Sequence, residues 1–464
     1  MVRFIAGKLL YGAICLFAAV LLVVAGYARQ VVRQVDDTEK GVTITGSPSV
    51  GAMNILLMGL ESRTNFEGQT LPADLLAAMH AGSVNGVNNQ GVGSQDTDTL
   101  ILIHIFAGGK KAVGISIPRD DLVTYPHATY LGLTQGKIDQ AYDFAYNQSL
   151  GQTIDTSDSS SQRYLLANQA GQAFEIATVE AVTGVHVDHF AETNLAGFYY
   201  LAAAFGGIEV CVRPWTAGHD ANLADSNSGW NAVADGYNVK KGGDQYLHLA
   251  TDQALAYVRD RDSLPQIDLD RTHRQQAVLD YVIWKLKHSG MLGDISALSS
   301  LLSTASQYLI TDATFNLLDF ATNMRALTGS NMTFSTLPIA SQVTGMELNG
   351  SPQDVNEINL PYVKRYVQAA FGSSPARGAS TAAASPSATS AATAPSSPAA
   401  QRTSTATPAG TGSQAAATSA AASSPSPAPS PTASPSQVAG ANDGQTGGSV
   451  TVAANAPYGV PCVY

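Results

Sequence analysis

Four arginines stand close together in the chain, beside as many acids. They fall in Tyr257-Val258-Arg259-Asp260-Arg261 and, shortly after, Asp270-Arg271-Thr272-His273-Arg274-Gln275-Gln276. A guanidinium offers its N–H donors in a rigid fork that fits phosphate and carboxylate alike. If the chain is extended after a helix over Thr251–Ala256, Arg259 and Arg261 point to the same side; a continuing helix would splay them by about 200°. Arg271, Arg274, Gln275, Val278 and Val282 share one stripe of an amphipathic helix predicted over Asp270–Lys287. Arginine in a first helical turn opposes the dipole, a cost that an anion bound to the free N–H groups would offset. A salt-bridge network explains the same residues, since Asp260, Asp262, Asp268 and Asp270 match the four arginines in number. Taken alone, the pattern fits either.

Three further places carry charge where α/β proteins put ligands, at strand ends. Gly59-Leu60-Glu61-Ser62-Arg63 and Ser116-Ile117-Pro118-Arg119-Asp120-Asp121 each follow an apolar run, and Gln95-Asp96-Thr97-Asp98-Thr99 precedes one. Carboxylates beside phosphate-binding arginines suggest a hard cation, Mg²⁺ or Mn²⁺, between them. Other chemistries find less support. Gly132-Leu-Thr-Gln-Gly136-Lys137 is one residue short of a P-loop, and Ile138 replaces its Ser or Thr. There is no Gly-x-Ser-x-Gly elbow. His186 and His189 lack a third ligand at a zinc-like spacing and read as structural.

The elements that must position these residues alternate between strand and helix. Asn54–Gly59, Leu100–Phe106, Ala112–Ile117 and Ile208–Val212 read as strands. Gln162–Val182 and Leu195–Phe205 have helical spacing, and Gly206-Gly207 stops the second of these. This alternation implies an α/β fold, an α-β-α sandwich around a central mixed sheet, spanning residues 47–372.

Both ends of the chain differ from this middle. Leu9–Ala28 carries no charge, and twenty residues at about 1.5 Å each cover the roughly 30 Å hydrocarbon slab. We read 9–28 as a transmembrane anchor rather than a cleaved signal peptide, with 1–8 inside, 29–46 a linker and the rest outside. From 373 to 448 the chain is almost wholly Ala, Ser, Pro, Thr and Gly, with no aromatic between Phe371 and Tyr458. Such a segment cannot bury enough apolar surface to order itself and reads as a disordered spacer. The tail, 449–464, turns apolar again around Cys462. With Cys15 in the apolar segment, Cys211 and Cys462 remain to pair in an oxidising compartment. The net charge of −11 and the lack of a basic stripe argue against nucleic acid as a partner.

In order along the chain, Asn54-Ile-Leu-Leu-Met-Gly-Leu-Glu-Ser-Arg63, Asp98-Thr-Leu-Ile-Leu-Ile-His104, Ser116-Ile-Pro-Arg-Asp120, Gly206-Gly-Ile-Glu-Val210, Ala254-Leu-Ala-Tyr-Val-Arg-Asp-Arg261 and Asp270-Arg-Thr-His-Arg-Gln-Gln276 resemble the motifs of the LytR–CpsA–Psr family. The resemblance covers essentially the whole folded part. It implies an enzyme that moves a glycopolymer from a polyprenyl-pyrophosphate carrier to peptidoglycan. Arg63, Arg119, Arg259, Arg261 and Arg271, with Gln275, would hold the pyrophosphate; Glu61 and Asp98 would hold Mg²⁺; the prenyl chain would lie in an apolar tunnel. The insertion containing Leu71-Pro-Ala-Asp74 and His80-Ala-Gly82 is similar to the actinobacterial branch, where arabinogalactan or teichoic-type polymers are attached.

Three departures stand out. Glu61 replaces the usual Asp, Asp96 replaces a usual Arg, and a disordered segment with a short tail replaces a C-terminal domain. The expected step is attack of an acceptor hydroxyl on phosphorus, with Arg119, Arg259 and Arg261 stabilising charge and Asp98 or Asp120 taking the proton. Hydrolysis of the same lipid-linked glycan, or a non-enzymatic wall-associated binding or regulatory role, are the alternatives.

Overall fold

The computed structural model describes residues 41–44, 49, 51–81, 94–126, 132–152, 160–214, 231, 243–289, 308–315, 332–372 and 457–464. The expected stub, anchor and most of the linker, the segment 373–448 and the first part of the tail lie outside these residues. Among the described residues, no helix is long and apolar enough to cross a membrane.

Uninterrupted apolar runs such as Ile55-Leu-Leu-Met58 suit strands covered on both faces, and here they form the centre of a sheet. Its six strands lie in the order β10 (Met332–Thr336), β3 (Ala112–Ile117), β2 (Thr99–Ile105), β1 (Met53–Leu60), β6 (His189–Asn194) and β9 (Leu309–Thr311). β1 runs parallel to β6 and antiparallel to β2, while β3 runs parallel to β10. The sheet is therefore mixed. Alternate residues of β1 and β2 serve opposite layers. Leu56 and Leu102 pack under α2 (Gln140–Gln152), α3 (Ser160–Thr183) and α7 (Leu360–Ala370). Leu57 and Ile101 face α4 (Leu195–Ala204), α5 (Thr251–Arg259) and α6 (Asp268–His288). A fully buried side chain such as Leu56, Leu102 or Ile101 contributes about 2 kcal/mol, so apolar contact on both faces fixes the register of the site-bearing strands.

Because β2 is antiparallel to β1 and β3, its first residue meets their last ones, with Thr99 opposite Gly59 and Leu100 opposite Ile117. The three charged segments that flank these strands thus share one edge of the sheet. Gly206 and Gly207 follow α4 with φ of +73° and +93°, left-handed values that favour glycine and end the helix as expected.

Two helix boundaries depart from the reading above. α5 continues through Arg259 and breaks at Asp260, whose φ of −60° and ψ of 133° are extended. α6 opens at Asp268, so its first turn holds Asp268 and Asp270 and both arginines fall beyond it. The dipole therefore meets acids, which it favours. The P-loop look-alike lies outside any phosphate loop: Gln135–Lys137 is β5, paired with β4 (Leu122–Thr124).

A smaller sheet carries the tail. β13 (Cys462–Val463) pairs parallel with β7 (Ile208–Val212), which pairs antiparallel with β8 (Gln245–Leu249). Cys462 stands opposite Cys211, and the two form a disulfide. A hairpin of β11 (Ser341–Leu348) and β12 (Ser351–Glu357) completes the strands described.

Candidate active site

The turn after β1 brings Glu61 and Arg63 to the shared edge. Glu61 Oε1 accepts from Arg63 Nη2 at 3.2 Å and from Arg259 Nη2 at 2.9 Å. Both arginines are also anchored on main-chain oxygens that follow α1 (Ala73–Ala78). Arg259 Nη1 donates to Met79 O at 3.0 Å, and Arg63 Nε donates to Ala81 O at 3.0 Å. The insertion between β1 and β2 thus supplies the acceptors that aim two guanidinium groups.

Asp98 holds the other half. Arg119 Nη1 donates to its Oδ1 at 2.6 Å, and Arg271 Nη1 lies 3.6 Å from its Oδ2. Asp268 bridges the same pair, 2.8 Å from Arg271 Nη2 and 3.4 Å from Arg119 Nε. Asp120 meets Lys137 Nζ at 2.6 Å and Arg119 Nε at 3.6 Å. Arg261 pairs with Asp262 at 3.3 Å, and its charge reaches Asp268. The two readings of the arginine pattern therefore merge. Arg63, Arg119, Arg259, Arg271 and Lys137 share the four carboxylates Glu61, Asp98, Asp120 and Asp268. Five cations against four acids leave a surplus positive charge, a setting that draws in an anion.

Electrostatics separate the acids. Burial alone would raise Asp98, but Arg119 and Arg271 hold its carboxyl well below the usual carboxylate range. Glu61, hydrogen-bonded to Asp98, is pushed up to about 7 by burial and then by the Asp98 charge, against the pull of Arg259 and Arg63. Asp120 is raised by burial, only partly countered by Arg119 and Lys137. Two acids forced together this way, one holding a proton the other helps bind, are residues that could hold a hard cation in that proton's place. Among the described residues, no group of three or more His, Cys, Asp or Glu is arranged to hold a metal by itself. A pair completed by phosphate oxygens and water is the usual Mg²⁺ arrangement.

Behind the charged edge lies a cavity of about 300 Å³ between the sheet and α4, α5 and α6. Glu61, Asp98, Arg259 and Gln275 line it at the polar end; Leu57, Ile101, Phe198, Leu201, Val278 and Val282 are among its apolar walls. An apolar slot that opens onto clustered arginines suits a molecule with a hydrocarbon tail and an anionic head.

Arg274 is the expected site residue that the structure takes elsewhere. It shares α6 with Arg271 and Gln275 but points away from the cavity, buried against Asp260, Tyr257 and the tail. The helical stripe misplaced it because positions 274 and 275 lie about 100° apart around the axis. Asp268, one of the acids counted against the arginines in the salt-bridge reading, joins Arg119 to Arg271. His186 and His189 each meet a separate acid, Glu180 at 2.7 Å and Asp312 at 3.1 Å.

The sequence profile of the LytR_cpsA_psr family matches residues 21–361. The Corynebacterium glutamicum cell wall biosynthesis protein LcpA is 32% identical over 380 residues, covering 80% of this chain and 67% of that one. The Bacillus mycoides polyisoprenyl-teichoic acid–peptidoglycan teichoic acid transferase TagU is 28% identical over 200 residues. That match covers 43% of this chain and spans half of TagU's length. The crystal structure of Bacillus subtilis TagV aligns with a TM-score of 0.45 at 20% identity, over 70% of this chain and 98% of that one.

Proposed function

Because the chain belongs to the LytR–CpsA–Psr family, we propose that it transfers a phosphate-linked glycopolymer from a polyprenyl-diphosphate carrier to peptidoglycan. The observation that carries this reading is the apolar cavity opening onto Arg259, Arg119, Arg271 and the Glu61–Asp98 pair. The names of relatives agree: TagU is a transferase of polyisoprenyl-linked teichoic acid to peptidoglycan, and LcpA is a cell wall biosynthesis protein.

In this reading the prenyl chain occupies the cavity and the diphosphate meets Arg63, Arg119, Arg259, Arg261 and Arg271, with Gln275 beside it. An acceptor sugar hydroxyl attacks the phosphorus that bears the glycan. The bond from that phosphorus to the bridging oxygen breaks, and polyprenyl monophosphate leaves. The guanidinium forks spread the charge that develops on the phosphoryl oxygens, the main task in phosphoryl transfer. The hydroxyl proton passes to Asp120, whose raised affinity for protons suits it better than Asp98, which its arginines keep ionised. Arg274 takes no part in binding here. Glu61 and Asp98 would hold Mg²⁺, which when bound neutralises charge on the phosphates.

We place the catalytic domain at 47–372 and outside the cell, behind an anchor at 9–28. The Cys211–Cys462 disulfide fits an oxidising compartment. The test is product analysis with the full-length chain, a lipid-linked glycan phosphate and peptidoglycan. Polymer–peptidoglycan adduct with polyprenyl monophosphate is expected. Free glycan phosphate without adduct would replace transfer by hydrolysis.

A further inference from the structure

Arg274 has no solvent exposure and joins three parts of the molecule. Its Nε donates to the main-chain oxygen of Tyr464 at 2.6 Å, and its Nη1 to Tyr257 O at 3.1 Å and Asp260 Oδ2 at 3.2 Å. The guanidinium also lies 4.5 Å from the centre of the Tyr257 ring. Asp260 is the residue between Arg259 and Arg261, at the break that ends α5. One rigid fork thus ties the tail to the turn that carries two site arginines, from the same helix that presents Arg271 and Gln275 to the mouth.

The tail makes a second, apolar connection. Val460 and Val463 are buried in one cluster with Leu255, Val258 and Val278, which also line the cavity. Tyr458 packs edge-on against Trp284 and Tyr281 of α6. Arg213 N donates to Val463 O at 2.7 Å, and the Cys211–Cys462 bond closes the attachment across 251 positions of sequence. Two strands of contact, one polar and one apolar, therefore run from the tail to the head and the wall of the same cavity.

We infer that Pro457–Tyr464 is a positioning element of the donor site, setting the Arg259–Arg261 turn through Arg274 and held in place by the Cys211–Cys462 disulfide. The inference rests on the donor reading above. A rigid connector of this kind matters because phosphate recognition depends on guanidinium placement to within about 1 Å. Without the covalent tie, the tail must find its seat against the entropy of the long intervening chain. Reducing conditions then loosen the site, and oxidation completes it.

Binding of farnesyl diphosphate to the full-length chain, followed by calorimetry well below the melting temperature, tests this. A dithiol reductant delivers two electrons and two protons to the Cys211–Cys462 bond, giving two thiols as it forms its own disulfide. Reduced wild type, Cys462→Ser and Arg274→Met should each bind about tenfold more weakly. Reoxidation should restore wild type, and Cys462→Ser should not respond to reductant. Combining Arg274→Met with Cys462→Ser should weaken binding no further than Cys462→Ser alone, because releasing the tail already breaks the Arg274–Tyr464 link. In turnover the loss should appear in the donor KM rather than in kcat. If Arg274→Met fails to fold, the reversible reduction of folded wild type decides the question. Unchanged affinity in chains that only melt earlier would reduce the tail to a structural staple. Oxidised wild type that does not bind the probe at all would overturn the donor reading and the positioning role with it.

Discussion

Asp96 and Asp98 are separated only by Thr97 at the entrance to β2, yet their carboxyls sit in opposite fields. Burial works against ionisation at both. At Asp98 the Arg119 and Arg271 guanidinium groups outweigh it and hold the carboxyl well below the usual range. At Asp96, burial is reinforced by the charge of Asp143, and the carboxyl is pushed up to about 7. Behind Asp96 the pattern deepens. Asp139 is driven well above the ordinary aspartate value by burial and then by Asp96, and Glu175 reaches about 8 through burial. The edge of the sheet thus joins a region where acids stay charged to hold cations and a region where acids keep their protons. Desolvation is common to both; the balance of guanidinium groups against neighbouring acids decides the outcome, Arg119 and Arg271 prevailing at Asp98 and Asp143 at Asp96.

The largest test of this contrast removes that guanidinium. Arg119→Ala should lower transfer by on the order of 10²–10³, measured as adduct formed per folded enzyme. Asp98 and Asp268 then lose a shared partner, so the melting temperature should also fall. Arg119→Lys keeps a charge but loses the fork and should recover only part of the activity. An Arg119→Ala enzyme as active as wild type would break the comparison, since the charged edge would then be structural.

Glu61 sits on the boundary between the two regions, and pH should expose it. Below pH 7 its carboxyl carries the proton that Asp98 helps to hold; above it, both acids are ionised, the state in which the proposed Mg²⁺ would bind. Transfer at limiting Mg²⁺ should therefore rise as pH passes about 7, and more Mg²⁺ should move that rise to lower pH as metal competes with the proton. Glu61→Gln should abolish both the limb and its Mg²⁺ dependence. A pH profile that ignores Mg²⁺ would remove the cation from the site.

Much of this was legible in the sequence, for local reasons. Apolar runs marked β1, β2, β3 and β7, paired glycines stopped α4, and the tail cysteine found Cys211. The meeting of Arg63, Arg119, Arg259 and Arg271 was implied by the family resemblance; two of them follow strand ends and two lie on helices, and their own pattern fitted a salt-bridge network equally well. Arg274 was not, because its acceptor, Tyr464, lies 190 residues away along the chain. Nor was the role of the insertion, whose Met79 and Ala81 oxygens anchor Arg259 and Arg63: main-chain acceptors leave no mark in residue types. The acids were countable but could not be sorted. Only packing shows that Asp98 faces arginines while Asp96 faces Asp143.

Asp96→Asn probes the boundary from the acid side. In wild type this carboxyl must ionise near pH 7 in a buried setting already holding Asp143 and Asp98. The amide removes that charge, so the variant should gain stability over wild type as pH climbs from the ordinary aspartate range toward 7, by at most about 1.4 kcal/mol per pH unit, and keep that gain above it. The donor KM should fall modestly, since one negative charge near Arg119 is gone. Denaturant melts at two pH values and a donor titration read both effects.

Glu175→Gln isolates the interior from the site. Glu175 has no exposure, accepts from Tyr142 N at 3.1 Å and keeps its proton up to about pH 8. An acid whose folded value is raised binds more protons when folded than when unfolded, so stability falls as pH climbs from the ordinary glutamate range toward 8. The slope from one such group is at most about 1.4 kcal/mol per pH unit. Glutamine preserves an acceptor and a donor without the charge, so the variant should flatten the decline between roughly pH 5 and pH 8 and leave transfer at pH 7 unchanged. A wild-type stability that is flat across that window would mean that the interior acids are ionised at little cost. The division between cation-holding and proton-holding carboxylates would then fail on its interior side, while the arginine edge would stand on the Arg119 result alone.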